Sequence, residues 1–291
     1  MDVNGSGKML NNHAVGIIMK ELVRRAVVAI RNQRQIFEVQ AKQGYGGQMD
    51  DMVTSADKIA QEVYVRSICE CFPGWGIIGE EDALIVPCTD GSGLFFTVDP
   101  LDGTKAFVRR QSHGIGTMIS LSNDQGEFVA AYVGDINTEE IYGFRPGSEK
   151  VHRITEFNNN EHLHITTKPL TTQYILLREP ERKYSELSQN TILSGFRNQI
   201  VDGGSIGIWL ARLWKGEVGA ALLAPSWETP WDSNPVTAIT KKLGFIYLRP
   251  SPMGGTAWIP FHHGPLKEKF RRDYDVLIIH RDNANQLEIS R

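Results

Sequence analysis

The chain has 291 residues, of which 41% are hydrophobic and 22% are charged, and its formal charge at pH 7 is −3. This length allows one large domain or two modest ones, each able to bury a core. The slight negative charge argues against a protein that binds nucleic acid polymers or anionic membranes by broad electrostatic attraction. Bound cations in a local acidic site would still allow a phosphorylated ligand.

The early apolar stretch at 14–30 is interrupted by Lys20, Glu21, Arg24 and Arg25. Charges at these positions argue against both a membrane-spanning helix and a signal peptide. The three cysteines, at positions 69, 71 and 88, lack the partners of a zinc site and are typical of reduced thiols inside a cell. We therefore expect a cytoplasmic protein with no membrane contact.

In chain order, residues 12–39 predict an amphipathic helix, and the glycine-rich stretch 44–51 predicts a mobile loop. A second helix is expected over 55–71, with Thr54 or Ser55 as its N-cap. Strands follow, the second of them running straight into the sequence DPLDGT; their predicted ranges are 76–79, 94–98, 116–121, 127–135 and 139–146.

A polar stretch at 151–164 contains three consecutive asparagines and predicts a boundary between two halves, residues 1–155 and 156–291. In the second half the pattern alternates more regularly. Strands are expected at 174–179, 217–224, 245–250 and 275–280, and helices at 204–216 and 231–244. The alternation indicates an α/β fold with two layered halves.

The segment DPLDGT, at 99–104, carries the strongest chemical signal. Asp99 and Asp102 on a tight turn after a strand can face one point and, with the carbonyl oxygen of Leu101, bind hard cations. The backbone amides of Gly103 and Thr104 would lie at a helix N-terminus, where anions bind. The alternative is structural: a simple turn at 102–103 and a helix cap at Asp99.

Three other segments add acidic residues at the starts of helices or the ends of strands. Asp57 follows Thr54 by three residues, Glu80 follows a strand together with Glu81 and Asp82, and Asp232 opens a helix of the second half. Taken singly, Asp57 and Asp232 are typical helix caps, and Glu81 and Asp82 are interpreted as solvated surface charges. Taken together, acids from four segments favour a metal cluster.

These motifs identify a resemblance to the inositol monophosphatase family of lithium-sensitive, magnesium-dependent phosphatases. DPLDGT and WDSNP match its two signatures, VTSAD and GEED match two further motifs, and residues 277–288 resemble its closing strand and helix. Asp57 lies 23 residues before Glu80, a spacing that the family shares. The resemblance implies an αβαβα sandwich, a homodimer, two or three Mg²⁺ ions and a small phosphorylated metabolite as substrate.

Carried onto this sequence, the resemblance also implies roles for individual residues. Glu80, Asp99 and the Leu101 carbonyl would bind one Mg²⁺, and Glu80 would also touch a loosely held third ion. Asp99, Asp102 and Asp232 would bind the second. Asp57 and Thr104 would position and deprotonate the attacking water, and the amides of Gly103 and Thr104 would hold the phosphate. The substrate-facing turn would include Ser205 and Gly207.

Substrate specificity is less well defined, because several positions depart from the family pattern. Pro225 stands where inositol-hydrolysing members have an acidic residue that contacts the sugar hydroxyls. In this chain that contact is lost or is supplied by Glu228. A lysine at position 105 resembles the family members that act on phosphoadenosine phosphate or histidinol phosphate. Lys105 could equally be an ordinary surface lysine. The glycines at 44, 46 and 47 replace a polar turn, with Lys42 within reach.

Four tryptophans lie near the predicted pocket. Trp209 would narrow it or stack on a flat substrate group, although Trp209 and Trp214 are also typical core positions of an amphipathic helix. Trp227 and Trp231 favour an aromatic-lined pocket.

The sequence therefore predicts metal-dependent hydrolysis of an inositol-phosphate or sugar-phosphate type of substrate. Phosphoadenosine phosphate and histidinol phosphate are the alternative substrates, and an inactive phosphate-binding family member is the non-enzyme alternative. A nucleotide-triphosphate site at GSGK, residues 5–8, is not favoured, because Met9 stands where such a loop needs Ser or Thr.

Overall fold

The structure is a computed structural model that describes residues 11–49, 51–155, 157, 159–253, 257–264 and 266–287, so the GSGK segment lies outside the described residues. The helices are α1 Asn12–Gln33, α2 Ser55–Cys71, α3 Thr104–Val108, α4 Glu186–Gly195, α5 Ile206–Trp214 and α6 Pro230–Lys242. The strands up to residue 162 are β1 Val39–Lys42, β2 Asp51–Thr54, β3 Gly76–Gly79, β4 Ile85–Val86, β5 Phe95–Asp102, β6 Gly116–Ser122, β7 Phe128–Asp135, β8 Ile141–Phe144, β9 His152–Ile154 and β10 Asn160–His162. Those that follow are β11 Tyr174–Leu177, β12 Asn198–Val201, β13 Ala220–Leu223, β14 Ser226–Glu228, β15 Phe245–Pro250, β16 Trp258–Pro260, β17 Phe270–Arg272 and β18 Val276–His280.

The first two helices show how local sequence sets the element ends. Asn11 caps α1 by accepting a hydrogen bond from the Ala14 amide at 2.8 Å, but the helix stops at Gln33, six residues before the predicted end. The prediction was too long because β1 takes residues 39–42 into a hairpin with β2. Thr54 caps α2 as predicted and forms a capping box with Asp57.

Two large sheets carry the fold. The first has eight strands in the order β10-β9-β8-β7-β6-β5-β3-β4, mostly antiparallel, with β3 and β5 parallel. The second has six strands in the order β12-β11-β13-β18-β15-β16. Among the described residues, the first sheet ends at β10 and the second begins at β11, while the division between residues 155 and 156 stays a prediction.

The layers follow from strand alternation, because successive side chains of a strand point to opposite faces. On β6, Ile119 packs with α1 and α2, whereas the adjacent Met118 packs with α5 and α6. On β18, Ile278 joins that same central layer, whereas Ile279 packs in the third core cluster with Ile192 of α4. The order is therefore α1/α2, first sheet, α5/α6, second sheet, α4, and the predicted αβαβα sandwich is confirmed.

The closing segment forms β18 and then a short helix of the 3₁₀ type at Arg281–Gln286, in agreement with the closing strand and helix suggested by resemblance. No helix within the described ranges combines the length and apolar character that crossing a membrane requires.

Candidate active site

Residues 99–102 of the DPLDGT segment form the bulged end of strand β5 rather than the tight turn predicted from sequence, and α3 begins at Thr104. β5 continues through Asp102, and its register with β6 shifts between Asp99, opposite Met118, and Asp102, opposite Gly116. Between these two pairs β5 advances by three residues and β6 by only two, so β5 contains one extra residue, which is a β-bulge. The bulge changes the strict alternation of the strand, and carboxylates three positions apart reach the same site.

Gly103 follows the bulge with a left-handed backbone, φ 90°, and directly precedes α3. A Cβ at this position would collide with the carbonyl oxygen of Gly114 and would lie 2.7 Å from the amide nitrogen of Ser205. Glycine is therefore required here both for conformation and for the close approach of the second half.

Asp102 joins the two halves through the start of α5. Its carboxylate accepts hydrogen bonds from the Ile206 amide at 3.0 Å, the Gly207 amide at 2.8 Å and the Ser205 hydroxyl. Burial raises the pKa of Asp102, although these hydrogen bonds oppose the rise. Ser205 and Gly207 thus hold a carboxylate in this structure, and their predicted contact with substrate stays a prediction.

Asp232 enters the site from the first turn of α6. The hydroxyl of Thr229 donates a hydrogen bond to its carboxylate at 2.5 Å. Burial, followed by the charge of Asp102, raises the pKa of Asp232 to about 7. The helix-start position foreseen from sequence is therefore real, but the side chain is turned toward the acids of the first half.

Asp99, Asp102 and Asp232 form a compact cluster, in which one carboxylate oxygen of each residue lies within 4.8 Å of the others. Asp99 is 1% exposed, and burial together with its acidic neighbours raises its pKa well above the ordinary value. Carboxylates packed this closely repel one another in a low dielectric unless cations lie among them. The donor set, all oxygen, is the one that Mg²⁺ and Ca²⁺ prefer, so these residues fit divalent cations.

Glu80 lies next to this cluster and makes an ion pair with Lys42. The Lys42 ammonium lies 2.9 Å from Glu80 Oε1 and 2.8 Å from Glu81 Oε1. Burial alone would lower the pKa of Lys42, but the two glutamates raise it above the ordinary value. A positive charge of the chain itself thus sits beside the first predicted metal ligand.

The interpretation of Glu81 as a solvated surface charge was wrong. Glu81 is 3% exposed, and its backbone is fixed by paired hydrogen bonds, both of 3.0 Å, with the side-chain amide of Gln61 on α2. Burial, and then the charge of Glu80, raises the pKa of Glu81 to about 7. Asp82 is exposed, as expected. An amide at Gln61 on the second predicted helix was the available sequence signal for this pairing.

Asp57 caps α2 and also contacts Thr104 of the DPLDGT segment. Its Oδ2 accepts hydrogen bonds from the amide and the hydroxyl of Thr54, at 2.7 and 2.6 Å. Its Oδ1 lies 3.1 Å from the hydroxyl of Thr104, which is equally close to the Leu101 carbonyl oxygen. Burial raises the pKa of Asp57 to about 6, against the hydrogen bonds of Thr54. The helix-cap interpretation is therefore confirmed, and the role of Asp57 toward the attacking water stays a prediction.

A cavity of about 440 Å³ opens onto the carboxylates. Its wall in the second half includes Pro225, Trp227 and Glu228, and the exposed Lys105 lies on the wall of the first half. Glu228 is not a free carboxylate, because the buried guanidinium of Arg272 lies 2.7 Å from it. Any contact between Glu228 and a substrate hydroxyl would have to share that ion pair.

The tryptophans divide between core and cavity. Trp209 and Trp214 are 2% and 0% exposed and belong to the core between the sheets. Trp227 lines the cavity, whereas Trp231 faces Tyr45 of the glycine-rich loop, with ring centroids 6.2 Å apart. Tyr45 itself lines the cavity.

Several cavity residues had no individual sequence prediction, and Tyr45 and Arg178 are among them. Arg178 directly follows β11, and a charged residue at the end of a buried strand was the available signal. Tyr45, between glycines, had none.

Comparison with known proteins identifies the family of the chain. The model of the inositol monophosphatase family matches residues 11–275. A curated relative, the inositol-1-monophosphatase of Bacillus subtilis, is 28% identical over 138 residues, which are 46% of this chain and 48% of that protein. The chain thus spans about half the length of this relative.

Solved structures agree on the fold. The extragenic suppressor protein suhB from Bartonella henselae superposes with a TM-score of 0.72 at 18% identity, covering 94% of this chain and 97% of that one. An IMPase/NADP phosphatase complexed with Mg²⁺ and phosphate gives a TM-score of 0.69 at 14% identity, covering 95% and 94%. The family predicted from four motifs is confirmed: the chain belongs to the inositol monophosphatase family.

Proposed function

We propose that this protein is a Mg²⁺-dependent phosphatase that hydrolyses a small phosphomonoester. The observation that carries the proposal is the cluster of Asp99, Asp102 and Asp232, drawn from both halves and opening onto a cavity. Burying such a cluster destabilises a protein unless cations complete it, so its presence favours a metal-dependent function.

The chain offers enough oxygen ligands for two ions. Glu80, Asp99 and the Leu101 carbonyl would hold one Mg²⁺, and Asp99, Asp102 and Asp232 would hold the second, with Glu80 also near a third. Bound magnesium would supply positive charge that stabilises the attacking and leaving oxygens of the reaction. Lys42 would then share Glu80 with an ion or pair with Glu81 alone.

The same site provides a base. The Asp57 carboxylate lies 3.1 Å from the Thr104 hydroxyl, so these two side chains can orient a water molecule and accept its proton. The pKa of Asp57, raised to about 6, lies close to neutral pH, where a general base works best. The amides of Gly103 and Thr104 would hold the phosphate that this water attacks.

The substrate we favour is an inositol phosphate or another sugar phosphate, whose size suits a cavity of about 440 Å³. Phosphoadenosine phosphate is the second candidate, because Trp227 and Lys105 on the cavity wall could meet a flat base and a second phosphate. Histidinol phosphate is the third. The homodimer and the cytoplasmic location stay predictions.

The test is a phosphatase panel with Mg²⁺, applied to the natural chain and to Asp99→Asn and Asp232→Asn. We expect turnover in the natural chain and a loss of at least about a hundredfold in each variant, because each removes a charged ligand of a shared ion. Asp273→Asn is the matched control, because Asp273 is an exposed aspartate that pairs with Arg271 away from the cluster. Inhibition by lithium would add support.

Two outcomes would count against this function. Product from both cluster variants at natural rates would show that the acids are not metal ligands. Tight binding of Mg²⁺ and inorganic phosphate without product from any substrate would identify an inactive, phosphate-binding member of the family.

A further inference from the structure

Arg178 is a cation on the cavity wall whose hydrogen-bonding capacity is only partly used. Its Nη2 donates to the Gly204 carbonyl oxygen at 2.7 Å, and the guanidinium lies over the ring of Trp209, 5.5 Å from the centroid. Its Nη1 is buried and has no hydrogen-bond partner among the residues that the structure describes. A buried donor on a charged group is costly to leave unpaired, so this nitrogen indicates a missing acceptor.

The position of Arg178 identifies what the acceptor would be. The carboxylate cluster fixes the phosphate end of the cavity, and Arg178 stands on the second half, on the wall shared with Pro225 and Trp227. The charge of Arg178 also opposes the rise in the pKa of Asp102, so Arg178 lies near the cluster as well as on this wall. The acceptor is then a group on the leaving group, because the amides of Gly103 and Thr104 and the cations would already hold the phosphate that is cleaved.

The neighbouring side chains leave Arg178 as the charge that a leaving group would meet on this wall. Glu228 is neutralised by Arg272, and Pro225 carries no charge. Glu179 lines the cavity but is exposed to solvent. The guanidinium is also held in place, by Gly204 on one side and Trp209 on the other, so little conformational entropy is lost when it binds an anion.

We propose that Arg178 binds a second anionic group, a carboxylate or a phosphate, on the leaving group, and so makes the enzyme select phosphomonoesters that carry one. A guanidinium can offer two parallel N–H donors to either group. The inference rests on the proposed phosphatase function and narrows its substrate class.

The test compares substrates that differ only in the second charge. Glycerol 3-phosphate and 3-phosphoglycerate form the carboxylate pair, and fructose 1-phosphate and fructose 1,6-bisphosphate form the phosphate pair. We expect the natural chain to prefer the charged member of at least one pair. Arg178→Gln should raise the KM of that member by about tenfold to a hundredfold, the effect of one charged hydrogen bond, with a much smaller change for its neutral partner. The pair that responds identifies the group.

Two variants serve as controls. Arg178→Lys keeps the charge without the paired donors and should fall between Arg178→Gln and the natural chain. Arg197→Gln removes a guanidinium from the opposite end of β11, where Arg197 lies over the ring of Tyr174, and should leave both substrate pairs as in the natural chain. Thermal unfolding would check that each variant is folded.

Equal losses for charged and neutral substrates in Arg178→Gln would overturn the inference and leave Arg178 as a support for Gly204 and Trp209. A natural chain that shows no preference within either pair would overturn it as well. If no substrate is turned over, the phosphatase proposal fails by itself. Calorimetric titration of the Mg²⁺-loaded protein with 3-phosphoglycerate and glycerol 3-phosphate still decides the role of Arg178, through the affinity difference in each variant.

Discussion

Replacing Asp232 with Asn should make the metal-free protein more stable at pH 8 while weakening its stabilisation by Mg²⁺. The pKa of Asp232 is raised from 3.8 to about 7, mainly by burial. Between these values the folded state keeps a proton that the unfolded chain has released, so stability falls as the pH rises through this window. Above about pH 7 the penalty is complete.

The size of the effect follows from the two pKa values. A difference of about 3 in pKa corresponds to a penalty of up to about 4 kcal/mol at pH 8, and of about 2 kcal/mol at pH 5. Asn carries no charge and can still accept the Thr229 hydrogen bond, so Asp232→Asn should recover most of this free energy. The gain over the natural chain should therefore increase with pH.

Urea denaturation of EDTA-treated protein at several pH values would measure this gain. Added Mg²⁺ at a hundred times its dissociation constant should then stabilise the natural chain by about 2.7 kcal/mol for each ion bound. The stabilisation of Asp232→Asn should be smaller, because only the ion held without Asp232 keeps all its ligands. A variant that is less stable than the natural chain at pH 8, or a difference that does not vary with pH, would refute the view that this acid is kept for metal binding at the expense of stability.

Three other predictions concern the residues around the cluster. Arg272→Met should lower the free energy of unfolding by about 3–5 kcal/mol, as measured by urea denaturation, because it leaves Glu228 without its counter-charge. Adding Glu228→Gln should recover part of the loss. A decrease below about 1 kcal/mol in Arg272→Met would contradict this. Burial lowers the pKa of His263 from 6.5 to about 3. Between these values the unfolded chain binds a proton that the folded protein does not, so the stability that the buried, neutral His263 provides above pH 6.5 is lost as the pH falls toward 3. His263→Gln should therefore flatten the acid side of the stability profile by up to about 1.4 kcal/mol per pH unit, and parallel profiles would disprove it. Gly103→Ala should reduce the melting temperature and abolish turnover, because its Cβ collides with Gly114; a variant with normal kinetics would contradict that geometry.

Long segments with a clear period were predictable from the sequence. Helix α2 was predicted at its observed bounds, with its N-cap, because Thr54 and Asp57 form a capping pattern that acts locally. Strand β15 was predicted at its observed bounds for a similar reason: an apolar run begins directly after Gly244. Strands such as β9 and β10 were missed, because three residues are too few to show alternation and pairing with neighbouring strands decides their existence.

The acids of the site were predictable as a set, but their surroundings were not. The bulge at Asp99 and Asp102 depends on the register of β6, which lies outside the motif. The burial of Glu81 depends on Gln61 and Lys42, each from a separate element. Contacts of this kind join residues that are distant in the chain, so local patterns carry little information about them.

Asp102 and Asp232 belong to one cluster, yet the fold depends on them differently. Asp232 accepts a hydrogen bond from the Thr229 hydroxyl and faces the like charges of Asp102 and Glu80. Asp102 accepts from two backbone amides and a hydroxyl at the start of α5, and therefore fastens the second half of the chain to β5. Because buried amides left without an acceptor are costly, the carboxylate of Asp102 stabilises the same interface that its metal-binding role requires. The hydrogen bonds that join the two halves at Asp102 thus also position its carboxylate for the proposed metal site.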